Sequence, residues 1–517
     1  MTRTRQLAIA ASREHEIRSY TLNLPSLEMT RTFVGACSVL FAAAACSGTS
    51  GEIDQSVSEP LMAQPVLPVQ AVKVTTIDVR RSLAVTEQTI LSRFSFERVL
   101  TQLATQSAVP GLTATALFQQ WWDTQNPAPG RYPGPHCDDT ATESLGSTIN
   151  GYPYICRGEA EGSQANCDPF AANSACAYIP IGLFNRYDQA PENGAHCGEY
   201  RIVYAKASGV ASTSDRNLVI FEAVLANPHP QQGLKGCQQV IDTWASLTPE
   251  NDIQKRATAL EKFYFSGQGD ISPVISISNF GDNALGVGQI RSNQFSNTTS
   301  GWSLREFKLL RSCSGSSCSS MRFVPVTNKN NAFGPLFDPS STLATADAFR
   351  AFLPSQVAKL TANSIPGLDI GTPDGFNTAQ SQASGTSAAE MRYSVQFGPS
   401  ESPLRTELQT QLTALGSALT PDEIVARAQA LSCAGCHRLS NNAPLGGGLV
   451  WPASLGFTHV TERATEVVSG ETRFVISDTL LNHLLPARQA IFEDFLNNRP
   501  RPSKGPTHPL SGSSTHG

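Results

Sequence analysis

Thr420-Pro421-Asp422-Glu423 and Cys433-Ala434-Gly435-Cys436-His437 bracket the stretch on which the reading of this 517-residue chain turns. Thr420 is placed to be an N-cap, Pro421 has the fixed φ that suits the first helical position, and Glu423 at the third completes a capping box. Ile424, Ala428 and Leu431 then recur at helical spacing, so the sequence predicts an amphipathic helix that runs directly into Cys433.

Three chemistries use a C-x-x-C-H turn. Two thiols three positions apart can add to the two vinyl groups of one porphyrin, with the next histidine turned to the iron. The same cysteines could form a redox disulfide, although no βαβ pattern surrounds them. They could also bind zinc with His437 or His459, although a structural zinc site wants a second closely spaced pair and the chain has none. On these residues the segment 418–500 resembles the c-type cytochromes, in which a short amphipathic helix leads into C-x-x-C-H and a C-terminal helix packs across it. Ile491, Phe492, Phe495 and Leu496 give the stripe for such a last helix at about 487–497. The resemblance implies haem c, with Cys433 and Cys436 as thioether attachments and His437 as the proximal iron ligand.

Downstream, Ala443-Pro444-Leu445-Gly446-Gly447-Gly448-Leu449-Val450-Trp451-Pro452 reads as backbone made to pass close to a flat apolar group, since glycine has no Cβ. Pro444, Leu445, Leu449 and Trp451 are candidate pocket walls. Small cytochromes of this kind usually place a downstream methionine opposite the histidine, yet all five methionines, at 1, 29, 62, 321 and 391, precede the motif. His459 is therefore the first candidate for sixth ligand, ahead of Met391, an open five-coordinate iron and His483. Bis-histidine ligation lacks the potential-raising thioether and implies a relatively low redox potential.

Outward from this segment, Asp347 to Leu360 and Arg405 to Leu419 have helical periodicity, separated by a loop of small polar residues at about 362–389. Further upstream, Leu83 to Asp123 predicts a helical hairpin, with Trp121 and Trp122 read as core rather than as a ligand-stacking pair. Tyr200 to Tyr204, Asn217 to Val224, 272–280, 301–310 and 321–326 read as strands, and 252–265 as a helix. The expected fold class is α+β and multidomain. A disulfide-containing domain with an antiparallel β-sheet, 81–340, precedes a mainly α-helical, cytochrome c-like domain, 341–517. Serine-hydrolase elbow, Walker A, Rossmann glycine and H-E-x-x-H patterns are all missing from the sequence.

Cysteine parity supports the division. Of 12 cysteines, Cys37 and Cys46 lie in the N-terminal segment and two in the C-x-x-C-H turn, leaving an even set for disulfides. Cys313 and Cys318 form the one evidently local pair. His136-Cys137-Asp138-Asp139 and His196-Cys197-Gly198-Glu199 offer metal-type ligands, but without metal spacing, and their cysteines are expected in disulfides.

The N-terminus carries an export address. Phe33 to Ala45 is an uncharged apolar run preceded by Arg31, too short to span a bilayer and right for a signal h-region. Met29-Thr-Arg-Thr repeats Met1-Thr-Arg-Thr, making Met29 a candidate start. Ala43-Ala44-Ala45-Cys46-Ser47 resembles a bacterial lipobox, departing from it at position 43, which implies lipidation of Cys46; the plain alternative is signal cleavage near Ala45. Residues 1–46 are thus the export segment and 47–80 a Ser, Gly, Pro and Gln-rich linker. The expected location is the periplasm, outer membrane or cell surface, with membrane contact through the lipid anchor only.

A net charge of -5 and 16% charged residues give no electrostatic reason to expect a nucleic-acid partner. The expected function is one-electron transfer through a covalent haem to an unidentified redox partner protein or small molecule. The alternatives are a haem enzyme or sensor with open iron, and a haem-free disulfide-stabilised binding lipoprotein.

Overall fold

Alternation of side chains along six long strands builds the centre of the protein. Tyr178–Arg186, His196–Lys206, Asn217–Ala226, Gln289–Gln294, Ser303–Ser314 and Ser317–Val326 follow one another as an antiparallel meander. Ala84–Val85 pairs with the first of them and Ser381–Gln382 with the fifth, giving an eight-stranded sheet. The computed structural model describes residues 74–126, 136–137, 141–142, 146–156, 165, 167–283, 286–295, 301–384 and 390–500. The signal segment, Cys46, most of the linker, His508 and His516 lie outside the described residues.

Four of the expected strands fall within this sheet, and one does not. Residues 272–280 are irregular, with a single 3-10 turn at Ile277–Asn279. Pro273 has no amide to give a ladder, and the Asn279 side chain donates to the carbonyls of Pro273 and Val274, which holds the chain in a local loop.

The register sets unlike faces on the sheet. Ile202, Phe221, Ile290 and Phe307 stand side by side across four strands and are all buried. Helices Phe96–Gln106 and Ala114–Asp123 close over that face: the Phe96 ring lies 5.0 Å from Tyr204, and Trp121 lies 6.2 Å from Phe307. Trp121 and Trp122 are core residues, as expected. On the opposite face Arg201 stands across from Glu222, and Arg291 across from Glu306. These acids are buried too, so something covers the charged face.

The cover comes from the C-terminal part. Its helices include Ala346–Ser355 and Val357–Leu360, separated at Gln356 after Pro354, then Pro403–Ala414, Pro421–Leu431 and Leu485–Leu496. Between the last two runs lies a β-hairpin, Val460–Val468 with Glu471–Ile476, which the expectation of a mainly α-helical domain did not include. Ser469 and Gly470 make its two-residue turn at φ +53° and +84°. The described residues belong to one compact unit, and the final helix shares the core of the sheet: Phe492 and Phe495 pack edge-on against Tyr187. That helix also grips the first described residues, since the Ile77 amide donates to Glu493 at 2.9 Å and Gln489 donates to the Ile77 carbonyl at 3.0 Å.

Disulfides join Cys137 to Cys156, Cys167 to Cys176, Cys197 to Cys237 and Cys313 to Cys318, so the even set pairs as expected. Cys137 and Cys197 are thereby structural rather than metal ligands. Among the described residues no helix is long and apolar enough to cross a membrane.

Candidate functional site at the Cys433 to His437 turn

The helix Pro421–Leu431 starts with the capping box read from the sequence, Thr420 accepting from the Glu423 amide and Glu423 from the Thr420 amide. It stops where Ser432 turns extended and caps a new turn, its hydroxyl accepting from the Gly435 amide at 3.0 Å. Elements far off in sequence satisfy the other free amides of that turn. Cys433 N–H donates to Asn331 at 2.8 Å, and Ala434 N–H to Ser381 at 3.0 Å. The two cysteines and the histidine are thus fixed against the sheet edge. Cys433 and Cys436 are the free cysteines of the described residues.

His437 is oriented through its Nδ1, which stands 2.7 Å from the Phe457 carbonyl. A carbonyl only accepts, so Nδ1 carries the proton and Nε2 keeps its lone pair. Phe457 itself sits at φ +71°, a left-handed conformation that bulky residues rarely adopt. Asn293, from the charged face of the sheet, donates to the same carbonyl at 2.9 Å and accepts from the Trp302 indole. Trp302 stacks on Phe457 at 5.6 Å and lies 5.4 Å from the His437 ring. Burial pushes His437 down to about 4, so it is neutral at physiological pH.

His459 is close by, its ring centre 4.8 Å from that of His437. Its Nε2 stands 3.2 Å from Cys436 Sγ, and its Nδ1 2.8 Å from the Ser477 hydroxyl. With metal–nitrogen bonds near 2 Å, imidazoles on opposite sides of one metal have ring centres roughly 6 Å apart. At 4.8 Å the two rings stand closer than that, so in this structure His437 and His459 do not flank one metal position. Met391 is buried and its sulfur accepts from Asn331, the same side chain that holds the Cys433 amide. His483 lies on the final π-turn, 3.6 Å from Asp478.

Leu445, Leu449 and Trp451 cluster with Cys436 and Leu484, whereas Pro444 is exposed. Of the glycines between them, Gly446 and Gly447 approach protein and Gly448 faces open space. A Cβ on Gly446 would meet the Glu423 carboxyl at 2.2 Å, and buried Arg427 donates to the carbonyls of Leu445 and Gly446. Trp451 Nε1 is a buried donor with no partner among the described residues.

Asn293, Trp302, Phe457, Ser477 and Arg291 are the residues that sequence reading missed. Three of them lie on strands or strand edges far from the motif, and their polarity suggests solvent until the sheet's second face is known to be covered. The Cys433 thiol is pushed up to about 11 by burial, with Arg291 opposing; Cys436 is pushed up to about 12, by burial and then by Cys433. Both thiols are protonated at neutral pH.

No family model, curated protein or solved structure matches this chain.

Proposed function

We propose that the Cys433 to His437 turn holds a covalent c-type haem and that the protein transfers single electrons. The observation that carries this reading is the fixed tautomer of His437. Nδ1–H is tied to a backbone carbonyl, the arrangement that orients metal-ligating histidines, and a free Nε2 sits beside two thiols that no disulfide consumes. The other described cysteines are all in disulfides, as suits an exported chain.

The donor set suits a porphyrin better than a metal held by side chains alone. Among the described residues no three His, Cys, Asp or Glu groups converge on one metal position. A porphyrin brings four nitrogens and asks the protein for axial ligands only. Haem, when bound, supplies one-electron iron chemistry. Cys433 and Cys436 would hold it as thioethers, His437 would be its proximal ligand, and Leu445, Leu449 and Trp451 would line its edge. His459 and Met391 are the candidate side chains for the other face. The partner is a redox protein or small molecule, and Cys46 remains the proposed lipid anchor.

A haem-free thiol chemistry has the Cys436–His459 contact in its favour. Yet burial holds Cys436 high and His459 well below its ordinary value, with His437 adding to the latter. A neutral pair is the opposite of the thiolate–imidazolium that activates cysteine nucleophiles.

The test is a pyridine haemochrome spectrum, with mass analysis of the Cys433 peptide, on protein matured in an oxidising compartment. An α-band and a haem-mass adduct are expected; an unmodified peptide with two alkylatable thiols ends the reading. A low-spin ferric haem that is slow to bind cyanide supports electron transfer, and a high-spin one that binds it fast supports the open-iron enzyme.

A further inference from the structure

The hairpin of Ser303–Ser314 and Ser317–Val326 outruns the sheet that carries it. Its inner half is core, with Phe307, Leu309, Met321 and Phe323 buried. Arg311 is held from outside the hairpin, its amide and its guanidinium both donating to Asp282. Beyond Arg311 the arm 312–320 stands in solvent on both faces, with every residue exposed except Cys318 and Ser320, which are half-buried. Among the described residues the side chains of this arm make one hydrogen bond, and it stays inside the arm, from Ser319 to the Ser312 carbonyl at 3.2 Å.

Cys313 and Cys318 face each other across this arm and are joined. The fold does not need the bond to bring them together. Ser314 and Ser317 pair one step nearer the tip, and Gly315 gives the two-residue turn its φ of +59°. The bond also closes the shortest loop of the four disulfides, a separation of 5 against 9, 19 and 40. Constraint on the unfolded chain grows with loop length, so this disulfide adds least to stability. The other three each have a buried cysteine, at Cys137, Cys176, Cys197 and Cys237, whereas Cys313 is exposed. Residues 312–320 read Ser-Cys-Ser-Gly-Ser-Ser-Cys-Ser-Ser, so within the arm no charge and no side chain bulkier than serine screens the sulfurs.

We infer that Cys313–Cys318 is a thiol–disulfide exchange site on the arm, open to thiols from solution, while the other three disulfides are structural. The inference goes beyond the haem function proposed above and does not rest on it. Exchange is governed by access to the sulfur attacked, and exposed disulfides are the labile ones. An incoming thiolate attacks Cys313 Sγ and forms a new S–S bond to it; the Cys313–Cys318 bond breaks, and Cys318 leaves with the electron pair and takes a proton from water. A second thiolate from the same donor then attacks the donor sulfur of that mixed disulfide and releases Cys313 as a thiolate, which is protonated in turn. Two thiols are oxidised to one disulfide, and Cys313–Cys318 is reduced to two thiols. The sheet survives the change, because the residues beyond Arg311 support no other element by side-chain hydrogen bonds. The thiols come from a protein dithiol or from a small molecule, which share this chemistry.

The test exposes the folded full-length chain to reduced glutathione or to reduced thioredoxin, alkylates it without denaturant, and reads each cysteine peptide by mass. Label at Cys313 and Cys318 is expected to exceed that at any of the other six disulfide cysteines by ~10-fold or more, with the melting temperature within ~3 °C of the oxidised chain. Faster opening by thioredoxin at equal thiol concentration assigns a protein dithiol as the source, and opening by glutathione at the same rate or faster assigns a small thiol. If another disulfide opens first, or Cys313–Cys318 stays closed until the chain unfolds, the site is overturned. Cys313→Ser/Cys318→Ser supplies an independent reading. It should fold with its other three disulfides formed and melt within ~3 °C of the parent; failure to fold, or a larger loss, would make the bond structural and overturn the inference as well.

Discussion

The Phe457 carbonyl stands 2.7 Å from Nδ1 of His437, and Phe457 holds φ +71° to put it there. Left-handed backbone at a non-glycine residue costs roughly 1–2 kcal/mol, and it persists only where neighbours over-determine it. Here Trp302 stacks on the ring, Asn293 bonds the carbonyl, and Arg216 donates to the preceding carbonyl of Gly456 at 2.8 Å. The strain is spent on fixing which nitrogen of His437 is free.

Asn293→Ala removes the second donor to Phe457 and strands the buried Trp302 indole N–H. A loss of about 1–3 kcal/mol is expected from the unsatisfied donor. Urea unfolding of parent and variant measures it, and an unchanged midpoint would mean that Asn293 does not hold the loop.

Arg216 and Glu462 form a two-bond ion pair, 2.6 and 3.0 Å, with 4% and 0% of their side chains exposed. Arg216 also reaches Thr458 and Thr461, so the pair clamps the segment that carries Phe457 and His459. Glu462→Gln leaves a buried guanidinium without its counter-charge and should cost about 3–5 kcal/mol. The double change Arg216→Met/Glu462→Leu should be milder than either single change. Chemical denaturation of the four proteins checks the order.

Gly435 is fixed by packing. An alanine Cβ there would stand 1.7 Å from the Gln429 carbonyl, at the end of the helix that leads into the turn. Gly435→Ala is expected to destabilise the protein by about 1–3 kcal/mol as the turn is forced off the helix. Gly448→Ala is the control for glycine replacement as such: its Cβ meets nothing, although its φ of +80° adds strain of its own. A smaller loss at 435 than at 448 would contradict the packing argument.

The haem-free chain should be most stable between about pH 6.5 and 9. Burial lowers His437 and His196 to about 4 each, below the 6.5 of an unfolded histidine. As pH falls from 6.5 towards 4 the unfolded chain takes up protons that the folded chain refuses, and stability is lost. Burial raises Cys433 to about 11 and Cys436 to about 12, above the ordinary 9.0. As pH rises past 9 the unfolded thiols ionise first, and stability is lost again. Urea midpoints from pH 4.5 to 10.5 test both limbs, and Cys433→Ala/Cys436→Ala should flatten the alkaline one.

Local signals served where the structure is locally determined. The capping box at Thr420, the helix into Cys433, the last helix and the strands around Tyr204 and Phe221 are all visible in the sequence because burial on one face writes a period into it. The hairpin around Ser469-Gly470 was missed, although its signal is local: a Ser-Gly turn lies between Thr465, Val467 and Val468 on one side and Phe474 and Ile476 on the other. The second face of the sheet was not legible. Glu222, Arg291, Asn293 and Glu306 alternate with apolar residues as solvent-facing positions do, and only long-range packing makes them interior. That is why the residues orienting His437 were missed while His437 itself was found.

The grip of the final helix on Ile77 joins segments more than 400 residues apart, Glu493 accepting from the Ile77 amide and Gln489 donating to its carbonyl. The edge at Ile77 is therefore completed only by a contact of very high sequence separation, the kind whose loop-closure cost is met late in folding.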